Sequence, residues 1–283
     1  MTLEVIDIHP HVISDDPARY PTAPLRGKQS AWSAERPQTF EQLVAEMDAA
    51  GVAKAAIVQA STYYGFDNSY VADSIAKAPE RFTGVCTINV FADDAIETLQ
   101  GWLAKGFGGL RIFTGGATHA NDTSLLDDPR SYPVWEYAGA NNIPIAVQTG
   151  PEGLVNVAKL AERFPDTKIV LDHIGRPVLE DGPPFAAAQG LFDLAKYPNV
   201  YLKLTPRSFA LAETGKSTSE AFFGALVAAF GSNRIAYGSN LPANEGPMTM
   251  LIDQAKSGLS SLSEADQRMI LSGTAKSLYP ALA

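Results

Sequence analysis

Cysteine and positive charge are both scarce in this sequence. Cys86 is the single cysteine among 283 residues, which excludes an internal disulfide and favours a reducing compartment such as the cytoplasm. Asp and Glu together number 31 against 22 Lys and Arg, which gives a net charge of −9 at pH 7. This balance disfavours nucleic acid and acidic membrane surfaces as partners, but it allows a locally basic pocket that binds a small anionic substrate.

Long hydrophobic runs and targeting signals are also missing. The sequence contains no run of about 18 apolar residues that could cross a membrane. Its first residues, MTLEVIDIH, lack the basic and apolar regions of a signal peptide. We therefore expect a cytoplasmic protein without a membrane partner, either a monomer or a homo-oligomer. Because 46% of the residues are hydrophobic, the chain can fill a large packed core.

Short apolar segments rich in β-branched residues alternate with helical patterns along the chain. The eight predicted strands are 5–12, 55–61, 82–89, 109–114, 143–149, 168–174, 200–205 and 234–240. The predicted helices are 40–50, 93–105, 133–141, 154–164, 185–196, 219–230, 248–256 and a closing helix at 263–282. Thr39 and Ser263 are the predicted N-caps of the helices that follow them.

This alternation predicts the fold class. Apolar strands separated by helices indicate a parallel sheet covered on both faces, and eight units in 283 residues match the spacing of an α/β, (β/α)8 TIM barrel. No linker divides the chain, so residues 1–283 are predicted to form a single domain. A doubly wound open sheet is the alternative, but no Gly-x-Gly-x-x-Gly motif follows the first strand.

Two long connections follow predicted strands. The segment 14–38 is rich in proline and charge and carries Trp32, whereas 115–131 is rich in Gly, Asn and Asp and carries His119. Both would lie at the carboxyl ends of strands, where barrel enzymes build their active sites. They are therefore either lids over a site or ordinary surface loops. We interpret His119 as a surface histidine.

Polar and ionisable side chains collect at the ends of the predicted strands. His9 and His11 close the first strand, and residues two apart in a strand face the same side. Two imidazoles there can bind a metal ion or polarise a substrate. The candidates that close later strands are Gln59, Ser61, Arg111, Gln148, Asp172, His173, Arg176, Lys203, Thr205, Arg207, Ser239 and Asn240. Since a buried charge is costly unless it is paired or used, this collection predicts an active site.

Three motifs together resemble a known family. His-x-His ends the first strand, Asp-His-x-Gly-Arg-Pro at 172–177 ends the sixth, and Gly-Ser-Asn-x-Pro at 238–242 ends the eighth. In this order, and at barrel spacing, they resemble the amidohydrolase superfamily of the "amidohydrolase 2" type. Within it they resemble 2-pyrone-4,6-dicarboxylate lactonases and related lactonases. The resemblance extends over nearly the whole chain.

The resemblance implies a hydrolase that opens a small carboxylated lactone or related cyclic ester, as in aromatic-compound catabolism. It implies that His9, His11 and His173 polarise the carbonyl, directly or through one metal ion, and that Asn240 holds a catalytic position. The side chains proposed to bind substrate are Arg111, Arg176, Lys203, Arg207, Gln59, Gln148 and Tyr63. For Tyr63, simple packing is the alternative.

The sequence departs from the wider superfamily at two of its metal positions. Arg111 occupies the strand where other members carry a carbamylated lysine, and Gln148 stands where many have a metal-binding histidine. A two-metal site is therefore disfavoured. One divalent ion, zinc first, could bind to His9, His11 and His173, or the protein could work without metal, as the pyrone lactonases do.

Asn240 stands where the family has an aspartate that acts as general base. An amide oxygen can accept a hydrogen bond or ligate a metal, but it cannot take a proton from water. Asn240 is thus a natural variant of the subgroup, a substitution that disables the site, or a sign of chemistry without an aspartate. If Asn240 is native, His173 is our first candidate for the base. Asp172 can orient His173 only if the strand has ended there.

Two other functions compete with lactone hydrolysis. Related barrels catalyse non-oxidative decarboxylation of aromatic or unsaturated acids with a metal and the aspartate that Asn240 replaces. A barrel with an impaired site could instead bind its ligand without turnover. Ring opening, release of carbon dioxide, and saturable binding without reaction distinguish the three.

Overall fold

A computed structural model describes residues 3–115, 118, 120 and 122–283. Eight parallel strands pair in chain order, each with its successor, and form a nearly closed barrel surrounded by helices. The strands are β1 (Val5–Asp7), β2 (Val52–Val58), β3 (Phe82–Cys86), β4 (Phe107–Phe113), β5 (Ile145–Gln148), β6 (Ile169–Leu171), β7 (Val200–Leu204) and β8 (Ile235–Tyr237). The predicted (β/α)8 TIM barrel is confirmed.

The last strand and the first meet at their carboxyl ends. The Ile8 N–H donates to the carbonyl oxygen of Tyr237 at 3.1 Å. The Ser239 N–H donates to Oδ1 of Asp7 at 2.8 Å. A Cβ at Gly238 would lie 2.5 Å from the Cβ of His9, so this approach requires glycine at that position. The barrel is therefore closed at the place where His9 begins the first loop.

Two apolar clusters follow from the alternation of side chains along the strands. In β2, Ala56 and Val58 point into the barrel, whereas Ala55 and Ile57 pack against the surrounding helices. Tyr279, near the chain end, belongs to the interior cluster and is fully buried. The barrel interior is thus a packed core, which leaves its carboxyl rim as the place for a cavity.

The helices cover the barrel and follow the predicted order. The helices are α1 (Ala31–Glu35), α2 (Phe40–Ala50), α3 (Ser61–Tyr64), α4 (Ser69–Ile75), α5 (Ala95–Leu103), α6 (Tyr132–Ala140), α7 (Leu154–Arg163), α8 (Gln189–Phe192), α9 (Pro206–Ala212), α10 (Ser219–Phe230), α11 (Met248–Gly258), α12 (Glu264–Arg268) and α13 (Thr274–Leu278). The predicted caps are confirmed: Thr39 Oγ1 accepts from the Gln42 N–H at 3.3 Å, and Ser263 Oγ accepts from the Asp266 N–H at 3.1 Å. In the described part of the chain, no helix has both the length and the apolar character needed to span a membrane.

Several predicted elements are shorter or divided. β1 ends at Asp7, because Asp7 Oδ1 accepts the His9 N–H at 2.9 Å and turns the chain out of the strand. β6 ends at Leu171, one residue before Asp172. The helix predicted at 185–196 contains only α8 between two 3₁₀ turns, and the closing helix is interrupted between α12 and α13 by a π-helical turn.

Short helices directly after strands were not predicted. One of them, α9, begins immediately after β7, with Thr205 at its N-cap position and Pro206 as its first residue. A proline in the first helical turn after a threonine is a recognisable helix start, so the sequence did contain this signal. The helix α4 also has a local start signal, since Asp67 Oδ1 accepts the Ser69 N–H at 2.9 Å. Asn68 adds tertiary contacts with the backbone of Thr87 at 2.9 and 3.0 Å.

Candidate active site

A cavity of about 580 Å³ opens at the carboxyl ends of the strands, and we call it the central cavity. Its wall is built by residues that follow β1, β2, β6, β7 and β8 and by the carboxyl ends of β4 and β5. The predicted site residues that line it are His11, Ser61, Arg111, Gln148, His173, Arg176, Arg207 and Asn240. The structure therefore brings together side chains that the chain spreads over more than two hundred residues.

Other predicted site residues lie outside this wall. His9 and Lys203 are completely buried beneath the cavity. The Gln59 amide nitrogen donates to the carbonyl oxygens of Gly65 at 3.1 Å and Asp67 at 2.8 Å, so it holds the loop after β2. Tyr63 packs edge-on against Tyr64 with ring centroids 4.7 Å apart. A substrate-binding role for Gln59 or Tyr63 stays a prediction.

The three predicted histidines lie next to each other, although β1 ends at Asp7, before His9 and His11. The ring centroid of His9 lies 5.0 Å from that of His11 and 5.1 Å from that of His173. Only His11 and His173 reach the cavity wall, whereas His9 lies behind them with its Nδ1 3.6 Å from Oδ1 of Asp172. Burial, together with the nearby Lys203 and Arg111, holds the pKa of His9 well below its usual value.

The tautomer of His11 follows from one hydrogen bond. Its Nδ1 lies 2.7 Å from the carbonyl oxygen of Val58. Because a carbonyl oxygen can only accept, Nδ1 carries the proton and Nε2 presents a lone pair. Burial, reinforced by the Arg111 guanidinium, lowers the pKa of His11 to about 3, so the ring is neutral. The indole of Trp32 stacks on it with a centroid distance of 5.3 Å and an interplanar angle of 24°.

His173 is held in a turn with left-handed backbone. The φ angles are +54° at His173, +51° at Ile174 and +54° at Arg176. A β-branched residue rarely adopts positive φ, and such strain concentrates at functional sites. The Nδ1 of His173 lies 3.0 Å from the hydroxyl oxygen of Thr205, and burial lowers the pKa of His173 to about 3.

Asp172 forms the centre of a buried charged cluster. Its Oδ1 lies 2.7 Å from the Lys203 ammonium, and its Oδ2 accepts from Arg111 Nε at 2.8 Å. Burial alone would raise the pKa of Asp172, but these two cations hold it well below its usual range. Since β6 ends at Leu171, Asp172 and His173 both face the site. The charge of Lys203 is therefore directed at Asp172, not into the cavity.

Two donors in the cavity wall are unsatisfied. Among the residues that the structure describes, the buried Arg176 Nε and Gln148 Nε2 have no hydrogen-bond partner. Burial and the neighbouring Arg207 guanidinium lower the pKa of Arg176, and both side chains line the cavity. Buried donors without partners cost free energy unless a ligand supplies acceptors. This wall is chemically suited to an anion such as a carboxylate.

Asn240 lies in a tight turn at the cavity edge. Its φ is +53°, its Nδ2 donates to Oδ1 of Asn244 at 2.7 Å, and its backbone carbonyl accepts the Asn244 N–H at 2.9 Å. The Leu241 carbonyl accepts the His11 N–H at 2.7 Å, so this turn is tied to the first loop. With Nδ2 occupied, the Asn240 amide oxygen is available as an acceptor.

These residues do not fit the predicted zinc ion. Among the residues that the structure describes, no group of three or more His, Cys, Asp or Glu side chains is arranged to hold a metal. The carboxylate beside His9, that of Asp172, is already neutralised by Lys203 and Arg111. A divalent cation placed there would be repelled by the positive side chains of Lys203 and Arg111.

The long connections contribute unequally to the site. Segment 14–38 supplies Trp32 to the cavity wall, and the Arg26 guanidinium in it lies 2.9 Å from a carboxylate oxygen of Asp122 in segment 115–131. Residues 116, 117, 119 and 121 lie outside the described residues, so the interpretation of His119 stays a prediction. Whether either segment closes as a lid is likewise a prediction.

Sequence reasoning missed Asn244 and Glu245, which line the cavity next to Asn240. Both lie in the loop after β8, on the face where barrel loops carry function, so polar residues just beyond the third motif were the available signal. The pairing of Asp172 with Lys203 had no sequence signal, because the two residues end different strands.

A parallel eight-strand barrel with a polar cavity at its carboxyl rim has the architecture of TIM-barrel enzymes. The amidohydrolase family model matches residues 6–281, and the chain belongs to that family. The predicted resemblance to amidohydrolases of the lactonase-like type is confirmed.

Four known proteins illustrate the likeness. L-fucono-1,5-lactonase of Burkholderia ambifaria is 27% identical over 214 residues, 74% of this chain and 70% of the relative. A structure assigned as a 2-pyrone-4,6-dicarboxylic acid hydrolase from Pseudomonas putida has a TM-score of 0.78 at 21% identity, with 100% of both chains covered. An amidohydrolase from Burkholderia multivorans with bound zinc has a TM-score of 0.77 at 23% identity, with 98% of this chain and 99% of that one covered. A 2,6-dihydroxybenzoate decarboxylase from Rhizobium has a TM-score of 0.72 at 15% identity, with 99% of each covered. At these identities, the three structures establish the shared fold and not a shared reaction.

Proposed function

We propose that this protein is a hydrolase that opens a small carboxylated lactone or related cyclic ester. The observation that carries the proposal is the combination, in one cavity, of an imidazole with an unprotonated Nε2 and two guanidinium groups. His11 provides the imidazole. Arg176, whose Nε has no hydrogen-bond partner among the described residues, and the exposed Arg207 provide the guanidinium groups. Membership of the amidohydrolase family and the similarity to a lactonase support the same reaction.

His11 is the general base in this proposal, in place of His173. A water molecule attacks the lactone carbonyl carbon and gives its proton to Nε2 of His11. The ring C–O bond then breaks, and the leaving alkoxide takes that proton back, which yields a hydroxy acid and a neutral His11. The Val58 carbonyl holds the ring in the required tautomer throughout. A bound substrate carboxylate raises the pKa of His11, because a nearby anion favours the imidazolium.

His173 stabilises the negative charge that develops on the carbonyl oxygen. We assign the Thr205 hydroxyl as the donor to Nδ1 of His173, which places the imidazole proton on Nε2. An N–H aimed at the developing oxyanion acts as in an oxyanion hole. Arg176 and Arg207 hold the substrate carboxylate, and the Asn240 amide oxygen accepts a hydrogen bond from the attacking water. Asn240 orients the water and does not deprotonate it.

A panel of carboxylated lactones tests this proposal, with acid release followed at constant pH. We expect ring opening without carbon dioxide release. Carbon dioxide release would contradict the proposal in favour of a decarboxylase, and saturable binding without turnover would indicate a barrel that binds but does not react.

The role of Asn240 has a separate test in Asn240→Asp. If the amide orients water as proposed, the charged replacement lowers turnover, because it repels the substrate carboxylate and loses the hydrogen bond to Asn244. A large gain in turnover would show instead that the native residue disables the site.

A further inference from the structure

A second cavity of about 270 Å³ adjoins the central cavity, and we call it the side chamber. Arg111 and Phe113 line both cavities, so the two share a wall at the carboxyl end of β4. Arg111 contacts Asp172 through Nε, and the same side chain faces the space where the proposed reaction occurs. The side chamber is thus adjacent to the proposed active site and not a remote surface cleft.

The lining of the side chamber differs from that of the central cavity. The central cavity presents imidazole, guanidinium and amide groups, whereas the side chamber is mostly aliphatic and aromatic. The apolar side chains around it are Leu25, Phe66, Ile88, Val90, Phe91, Ile112, Phe113 and Leu125. Ligand sites are commonly lined by apolar side chains with a few polar groups that set orientation. The side chamber has this composition, with Arg26, Thr87, Asn89 and Arg111 as its polar lining residues, and Arg111 lies at its junction with the central cavity.

Exposure within the side chamber is uneven. Ile88 and Val90 are each 4% exposed and form a buried floor, but Phe66 is 46% exposed. Leu25 and Leu125, one from each long connection, are half-buried at the same opening. Apolar surface left in contact with water lowers stability, and a ligand that covers it gains the corresponding transfer free energy.

We propose that the side chamber is an apolar subsite of the hydrolase and that its substrate carries an alkyl or aryl group beside the carboxylate. This inference rests on the proposed function for the identity of the reacting group. The volume of the side chamber is large enough for such a group, because a protein cavity of about 150 Å³ already holds benzene. A ring substituent that enters the side chamber would leave the lactone carbonyl on the other side of Phe113, next to His11 and His173.

The test measures binding, so it does not depend on turnover. Acetate, butyrate, hexanoate and octanoate are titrated into the full-length protein by calorimetry. We expect the affinity to rise with chain length by about fourfold per methylene that enters the side chamber, the factor that follows from burying one methylene. A lactone assay that fails would then contradict the proposed function and leave this result standing.

Two variants test whether the increase in affinity with chain length arises in the side chamber. Leu125→Trp fills it, and Phe66→Ala removes part of its wall. The control is Met269→Trp, since Met269 is 37% exposed in the π-helical turn and lines neither cavity. We expect both chamber variants to weaken octanoate binding by about tenfold and to change acetate binding by less than about twofold. The control should match the wild type, and circular dichroism checks that every variant folds.

Three results would each overturn the proposal. They are an affinity that does not depend on chain length, an absence of carboxylate binding, and an equal loss of octanoate affinity in Leu125→Trp and Met269→Trp. If lactones are hydrolysed, the ratio of kcat/KM for alkyl-substituted to unsubstituted rings provides the matching kinetic readout. That ratio should fall in Leu125→Trp and Phe66→Ala and stay unchanged in Met269→Trp.

Discussion

The wall of the central cavity and the layer beneath it use the same kinds of side chain for different purposes. Beneath the wall, Lys203 and Asp172 neutralise each other at 2.7 Å, completely buried. In the wall, the buried Arg176 Nε has no hydrogen-bond partner in the described part of the chain. A buried charge beside an opposite charge is neutralised within the protein, whereas a guanidinium that lines a cavity is available to a ligand. The comparison shows that ionisable residues at strand ends fall into two groups with separate roles.

The largest effect is expected from removing the base in the wall. His11→Asn keeps a side chain that can bond the Val58 carbonyl but cannot accept a proton at neutral pH. Turnover should fall by about 10²- to 10⁴-fold, the usual contribution of general acid–base catalysis. Steady-state kinetics on the best lactone measures this, with circular dichroism as the folding control. Near-normal turnover would exclude His11 as the base.

The next largest effect is a loss of stability, and it is expected from a change in the layer beneath the cavity wall. Lys203→Met leaves Asp172 with a single cationic partner in a fully buried site, and breaking such a pair typically costs about 3–5 kcal/mol. Urea denaturation should show a loss of this order in the free energy of unfolding.

Arg176→Met is the matched change in the wall. We expect it to lower kcat/KM for a carboxylated lactone by about 10- to 100-fold, the value of a hydrogen bond to a charged group, with little loss of stability. An uncharged lactone should be unaffected. If both variants lost stability equally, the division between the wall and the layer beneath it would be wrong.

A smaller effect is expected from pH on stability. Burial lowers the pKa of His11 and His173 from 6.5 to about 3, so both are neutral when folded. Because the unfolded chain binds their protons first as the pH falls, this part of the stability is complete above 6.5 and decreases as the pH falls from 6.5 towards 3. Urea denaturation between these limits should show the decline, and His173→Asn should reduce its slope. The same slope in that variant would contradict the assignment.

The smallest effect is expected from chelation. Because Lys203 and Arg111 already neutralise Asp172, the site does not fit a divalent cation, and EDTA should leave turnover unchanged. Metal analysis of the protein purified without added ions accompanies the assay. A loss of turnover that zinc restores would show that the three histidines do bind a metal.

Much of the fold could be predicted because its signals are local. The alternation of apolar strands and helices predicted the barrel, and Thr39 and Ser263 were recognisable as caps. The strand ends could not be placed to the residue. The turn after β1 depends on Asp7, whose carboxylate also accepts from Ser239 at the far end of the chain.

The sequence by itself determined the amidohydrolase barrel and the histidines, arginines and Asn240 that gather at its carboxyl rim. Only the tertiary structure decided which of these face a ligand. Val58 sets the tautomer of His11 from 47 residues away, and Arg111 meets Asp172 across 61 residues. Such pairings arise when the closing barrel brings the ends of different strands together, and no local pattern encodes them. For the same reason, the side chamber emerges only where the two long connections meet the loops after β2 and β3.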